Sequence, residues 1–208
     1  HRREGRPGSL RESRRQEDGN YGVYAQRFNA LGKRLGKEFK VNLTKRSTQW
    51  KPAVALDPAG SAWFGWDSFG QDGNQFGCFA RRFGCDLQPM GPEIRINEET
   101  LGDQTGLTLI AGNSGDLVAA WIGPCKEGTG RKAYVSRFNA EGERLAAPML
   151  VDDSMGQQES LVCLAGRRDG GFIAAWAAVG PDSRPAGIMA RIFALDGHPL
   201  TKPFKLND

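Results

Sequence analysis

The sequence predicts an all-β fold, a β-propeller built from four-stranded blades with about three and a half blades present. Three observations predict it: an internal repeat of constant period, a composition rich in turn formers, and the strand patterns inside each repeat. Trp66, Trp121 and Trp176 stand 55 residues apart, as do Phe28, Phe83, Phe138 and Phe193. Asn42, Asn97, Asp152 and Asn207 keep the same step, and so do Leu35, Met90, Leu145 and Leu200. The turn glycines Gly60, Gly115 and Gly170 keep it too. Self-similarity at one fixed period marks a repeat architecture. With 28 Gly, 11 Pro and 39% apolar residues among 208, the chain suits short strands joined by tight turns.

Each unit reads as four strands. The first is apolar: Pro52 to Leu56, Leu107 to Ala111, Val162 to Gly166. A turn follows at Asp57–Gly60, Asn113–Gly115 and Arg168–Gly170, where Gly supplies φ freedom. The second strand is Ser61–Trp66, Asp116–Trp121 and Gly171–Trp176. Its later part is apolar on both faces, as in Leu117-Val-Ala-Ala-Trp121 and Phe172-Ile-Ala-Ala-Trp176, which marks a strand covered on both sides. The third strand, Gly22–Phe28 in the first unit, leads through Asn29-Ala-Leu-Gly32 into a fourth, Glu38–Asn42. That fourth strand alternates (Phe39-Lys-Val-Asn; Ile94-Arg-Ile-Asn; Phe204-Lys-Leu-Asn), with charges facing outward as a guard against edge pairing. Dry inner strands with a charged outer edge describe a propeller blade.

Complete blades are expected at 49–97, 104–152 and 159–207, with an outer half-blade at 21–42, all in one repeat domain over 16–208. The missing inner half-blade falls near residues 1–11, and its Trp position is Arg11. Residues 1–15, with six Arg and two Glu, read as a basic tail, disordered or artefactual. Closed propellers have about four to eight blades. The chain therefore reads as a fragment of a larger propeller, with self-association into a homodimeric ring as the alternative.

The excess of 28 Lys and Arg over 24 Asp and Glu lies wholly in residues 1–15, so the body is neutral. A nucleic-acid surface is not expected, and no apolar run is long enough to span a bilayer. Two His, His1 and His198, leave little room for a Ser-His-Asp site or a His-ligated zinc. Cys78, Cys85, Cys125 and Cys163 lack metal spacing, and four cysteines allow three disulfide pairings or none. The N-terminus shows no apolar leader.

The stretch Tyr21-Gly-Val-Tyr-Ala-Gln-Arg-Phe-Asn-Ala-Leu-Gly-Lys-Arg-Leu-Gly-Lys-Glu-Phe-Lys-Val-Asn42 resembles a propeller-like repeat of large bacterial secreted and cell-surface proteins. The resemblance covers residues 16–208 and decays along the chain: Leu87 replaces the turn glycine, Ile192 the Arg, and Pro148 and Pro203 the Glu. It implies an extracellular, cell-surface or periplasmic module, often part of a longer chain, and brings no catalytic motif.

Trp66, Trp121 and Trp176, with the Phe series, read as core. The Arg at 27, 82 and 137 read as outer-strand residues with packed stems and solvated heads. No metal site is expected. Calcium is the one cofactor the loop Asp67–Asn74 leaves open, although its acids are not at the alternate positions a calcium loop uses. Loops from second to third strand (67–76, 122–132, 177–186) and from fourth strand to the next blade (43–50, 98–105, 153–159) fall on one face, where ligands usually bind. Its candidate binding residues are Asp67, Asp72, Asn74, Glu98, Asp103, Asp152 and Asp182. The expected function is a non-catalytic module binding a protein or glycan. The alternatives are a lectin-like carbohydrate binder, which needs an exposed loop-face Trp or Tyr, and a fragment of a propeller hydrolase.

Overall fold

The computed structural model describes residues 7–13, 20–45, 47–126, 130–153, 158–180 and 185–207. Regular structure among them is all β, in four antiparallel sheets, each hydrogen-bonded in chain order. Blade I holds β1 (Pro7–Ser13), β2 (Gly22–Phe28) and β3 (Arg34–Lys40). Blade II holds β4 (Gln49–Leu56), β5 (Ala62–Phe69), β6 (Phe76–Phe83) and β7 (Ile94–Arg95). Blade III holds β8 (Thr105–Ala111), β9 (Leu117–Pro124), β10 (Arg131–Phe138) and β11 (Met149–Leu150). Blade IV holds β12 (Gln158–Gly166), β13 (Phe172–Val179), β14 (Pro185–Phe193) and β15 (Phe204–Lys205). The fold is a partial propeller, and outer strands of two residues in blades II to IV leave little free edge.

Residues 7–13 correct the reading of a structureless tail. They form β1, pairing antiparallel with β2, and the pairs Leu10↔Ala25 and Arg11↔Tyr24 match Gly65↔Ala80 and Trp66↔Phe79 of blade II at the 55-residue step. Ladder hydrogen bonds come from the backbone, so a basic stretch can add a strand that apolar patterning does not announce. Residues 1–6 and 14–15 of that reading lie outside the described residues.

Three junctions hold the stack together, and each receives one Trp from the later blade. Trp66 packs with Val23, Ala25 and Val41 between blades I and II. Trp121 packs with Trp63, Cys78 and Ile96 between II and III. Trp176 packs with Ile122, Val135 and Val151 between III and IV. Burying an aromatic ring removes a large apolar area from water. Phe83, Phe138 and Phe193 are buried alongside, whereas Phe28 is half-buried.

Polar ties repeat with the same step. Asn42 Oδ1 accepts from Val23 N, Asn97 Oδ1 from Cys78 N (both 2.8 Å), and Asn207 Oδ1 from Ile188 N (2.6 Å). Each links the end of a fourth strand to its own third strand. Of the Arg set at 27, 82 and 137, two heads also reach the next blade: Arg27 Nη1 donates to Cys85 O at an exposed site (3.3 Å) and Arg82 Nη1 to Ala140 O (2.8 Å). A second Arg set crosses each junction, from Arg81 to Val41 O (3.1 Å), Arg144 to Ile96 O (2.8 Å) and Arg191 to Val151 O (3.2 Å). Charge-assisted bonds of this kind are stronger than neutral ones and fix the blade-to-blade register.

Candidate functional site

Among the described residues, the loops 67–76 and 98–105 meet. The tip of the β5–β6 hairpin and the connection from blade II to blade III are knotted by hydrogen bonds. Asp72 Oδ2 accepts from Asn97 Nδ2 (2.9 Å), Asn74 Oδ1 from Gly102 N (3.1 Å) and Asp103 Oδ1 from Phe76 N (3.2 Å). Asp72, Asn74 and Asp103 are thus brought together, with their carboxylate and amide oxygens engaged in positioning the loops. Among the described residues no three His, Cys, Asp or Glu side chains gather in a way that could hold a metal ion.

Asp67 and Asp152 are not on the loop surface; both are buried. Asp67 follows Trp66 on β5, and its side chain turns into the II–III junction. There its carboxylate accepts from Gly106 N (2.8 Å) and Leu107 N (3.4 Å), with the Cys78 thiol 3.6 Å away. Burial raises its pKa to about 6, against the lowering effect of those donors and of Lys51. Asp152 is buried at the III–IV junction. Asp182 lies outside the described residues.

The first position of each unit (Gln49, Gln104, Glu159) is a polar anchor that sequence reading missed. Gln49 Oε1 accepts from Asn42 Nδ2 (3.0 Å) and Gln104 Oε1 from Asn97 Nδ2 (3.3 Å). At the III–IV junction both amides become acids, Asp152 and Glu159, and Lys132 stands where Gly22 and Gly77 stand in earlier blades. Lys132 Nζ donates to Glu159 Oε1 (2.8 Å) and Ala133 N to Glu159 Oε2 (2.6 Å). Burial raises the Glu159 pKa even with those donors present. The signal that could have found this site is the 55-residue series Gln49, Gln104, Glu159, which lies beside the Asn series already visible.

Of the predicted residues, Glu98 lines a cleft. The cleft is a small, partly open groove where the II–III connection meets the β9–β10 loop, and Glu98, Glu99, Pro124, Lys126, Trp121 and Tyr134 border it. Trp121 and Tyr134 stack with centroids 5.8 Å apart and planes at 18°. The Tyr134 hydroxyl donates to Pro124 O (2.7 Å), which fixes the ring, and burial raises its pKa. Glu98 and Glu99 are exposed, and Lys126 Nζ lies 3.0 Å from Glu99 Oε1. Carboxylates at the rim can accept hydrogen bonds from ligand hydroxyls, whereas Trp121 and Tyr134, both buried, back the cleft from within the II–III core. A second aromatic group stands on the same loop face: Trp50 stacks on Phe76 at 5.0 Å, and Phe69, half exposed, meets Phe76 edge-on at 5.1 Å. This group forms because β5 ends in Phe69 and β6 begins at Phe76, directly opposite one another.

No protein-family model and no curated protein sequence matches the chain. Solved structures do. A protein of unknown function from Dyadobacter fermentans superposes with a TM-score of 0.60 at 8% identity, covering 97% of this chain and 69% of that one. An ulvan lyase, a polysaccharide lyase, gives 0.54 at 12% identity, with 98% of this chain and 56% of that one covered. An endo-1,5-α-L-arabinanase from Thermotoga petrophila gives 0.52 at 12% identity, with coverages of 95% and 59%. The fold is shared. The expectation of a module without catalysis is corrected by these neighbours, since the architecture is one that an arabinanase and a polysaccharide lyase carry. Among the described residues no helix is long and apolar enough to cross a membrane.

Proposed function

We propose that this chain is a propeller segment of an exported enzyme that cleaves a polysaccharide, with the glycan lying across the loop face at the II–III cleft. What carries this reading is the pair of exposed carboxylates, Glu98 and Glu99, at the rim of a cleft backed by the buried Trp121–Tyr134 stack, in a fold similar to those of an arabinanase and an ulvan lyase. Sugars offer a rim of hydroxyls and an apolar ring face; the exposed carboxylates of this cleft can accept from the first, and the half-exposed Phe69 on the same loop face can meet the second. Glycosidic hydrolysis needs one carboxylic acid to protonate the leaving oxygen and a second carboxylate as base or nucleophile. Glu98 and Glu99 are the cleft's carboxylates open to a ligand, and the proposal gives them that work, with Lys126 orienting Glu99. The repeat domain of residues 16–208 is proposed as the unit that carries it.

The test uses arabinan, xylan and ulvan as probes. Binding is followed by calorimetry, and cleavage by release of reducing ends or of unsaturated product. At least one polysaccharide is expected to bind, with Glu98→Gln and Glu99→Gln retaining binding and losing most turnover. Absence of binding to all three at millimolar sugar would end the reading. Binding that both variants leave untouched, with no cleavage by either protein, would return the cleft to a lectin-like role.

A further inference from the structure

Blade IV presents a sheet face that its three predecessors bury. At one position of the third strand the repeat places Val23, Cys78, Ala133 and Ile188; the first three are 0% exposed and Ile188 is 42% exposed. At one position past the fourth strand it places Val41, Ile96, Val151 and Leu206; again the first three are 0% exposed, and Leu206 is 56% exposed. Phe204 and Leu161 of the same blade are exposed as well. In each earlier case the covering element is the following blade, through its Trp (66, 121 or 176) and an Arg that donates to the carbonyl of residue 41, 96 or 151. The matching carbonyl on blade IV is that of Leu206.

We propose that this face, centred on Ile188 and Leu206, is the docking surface for one further blade of the same 55-residue type, presenting a tryptophan to Ile188 and an arginine to the Leu206 carbonyl. The outer side of blade I does not supply that pair. Arg11 stands at the Trp register position, opposite Tyr24. Gln26 stands at the position of Arg81 and Arg191, and its amide is turned back onto its own blade, donating to Arg27 O and Leu35 O (3.0 and 3.2 Å). Arg34 stands opposite Phe28 as Arg144 stands opposite Phe138, so a head-to-tail second copy could supply a guanidinium, but it would bring Arg11 where three observed junctions bring an indole. The occupant is a blade, not a copy of this chain. The inference is independent of any glycan at the cleft.

The test extends the full chain by a copy of residues 154–208 placed directly after Asp208, which keeps the 55-residue register and repeats both Trp176 and Arg191. The added blade is expected to raise the melting temperature and to slow amide exchange at Ile188 by about 100-fold or more, as burial under a packed neighbour does. Trp176→Arg within the copy alone is expected to abolish both effects. Ile188→Asp in the parent blade should abolish them too, while leaving the unextended chain's melting temperature within a few degrees, which separates docking from failure to fold. An extended chain whose Ile188 exchanges as before would overturn the proposal. So would an unextended chain that runs as a dimer with Ile188 already protected, since the occupant would then be a second copy.

Discussion

Blades III and IV carry almost the same second strand, Leu117-Val-Ala-Ala-Trp121 and Phe172-Ile-Ala-Ala-Trp176, yet their burial differs. All of β9 is buried except its last residue, whereas β13 alternates buried and half-buried positions. One face of β13 packs on blade III through Phe172, Ala174 and Trp176, while the other, with Ile173, Ala175 and Ala177, meets no following blade among the described residues. A two-sided apolar strand thus records what the repeat is built to bury, and burial records what is there to cover it. Stability in stacked repeats is approximately a sum of unit and interface contributions, so equivalent substitutions at filled and open faces should differ sharply.

The largest contrast is expected between Trp121→Ala and Ile188→Ala. The first empties the II–III junction and should cost about 3–5 kcal/mol, as large-to-small core changes do. The second truncates a side chain already near half exposed and should cost under about 1 kcal/mol. Urea titrations of both variants, with unchanged m-values, check this. Comparable losses would mean that the open face is covered in solution.

Asp67 sharpens the picture of the II–III junction. Because its folded pKa is raised from 3.8 to about 6, the native state holds the proton more tightly than the unfolded chain. Its contribution is fully present below about pH 4 and is lost as pH rises through 6. Two pKa units correspond to about 3 kcal/mol as an upper bound. Melting temperature should therefore fall from pH 4 to pH 6.5 through this group, and Asp67→Asn should flatten that slope. A slope unchanged in the variant would assign the effect elsewhere, Glu159 being the next group to examine because burial raises its pKa in the same direction.

Asn97→Ala removes a buried tie and should cost about 1–3 kcal/mol, well above the cost of Asn207→Ala on the exposed end of blade IV. The smallest effect is a gain. Leu87 and Leu161 adopt φ of 63° and 55°, a region that costs non-glycine residues about 1–2 kcal/mol. Leu87→Gly and Leu161→Gly should each stabilise by about 1 kcal/mol or less after the entropy cost of glycine, read as a rise in melting temperature.

Much of this architecture was legible. The Trp, Phe and Asn series announced the blades because core packing and the Asn ties demand the same residue type at every repeat. Leu87 was visible as a departure from a turn glycine, and it keeps the positive φ of the glycines at the equivalent positions, Gly32, Gly142 and Gly197. What stayed hidden lies where different residue types do one job. The first-strand irregularity recurs at Lys51, Gly106 and Leu161, all with positive φ, but three unlike side chains conceal a shared backbone conformation. The strand β1 was hidden because its ladder is made by backbone groups under a basic sequence. Asp67 looked like a loop carboxylate because nothing local shows that Gly106 and Leu107, some forty residues on, donate to it. Glu98 was placed on the loop face because connections between rigid blades converge there, while the cleft's backing of Tyr134 stacked on Trp121 shows only when the two strands are folded together.

The measurement that tests the central claim most directly is amide hydrogen exchange, followed by NMR, at the four equivalent residues Val23, Cys78, Ala133 and Ile188. Each amide starts from the same position in the repeat, and those of Val23, Cys78 and Ile188 donate to the matching Asn side chain while that of Ala133 donates to Glu159. If three junctions are filled and the face of blade IV is open, Val23, Cys78 and Ala133 should exchange at or near the rate of global unfolding, with Ile188 faster by about two orders of magnitude or more. Equal protection at all four residues would contradict the account, because Ile188 would then lie under a covering that an open last blade does not have.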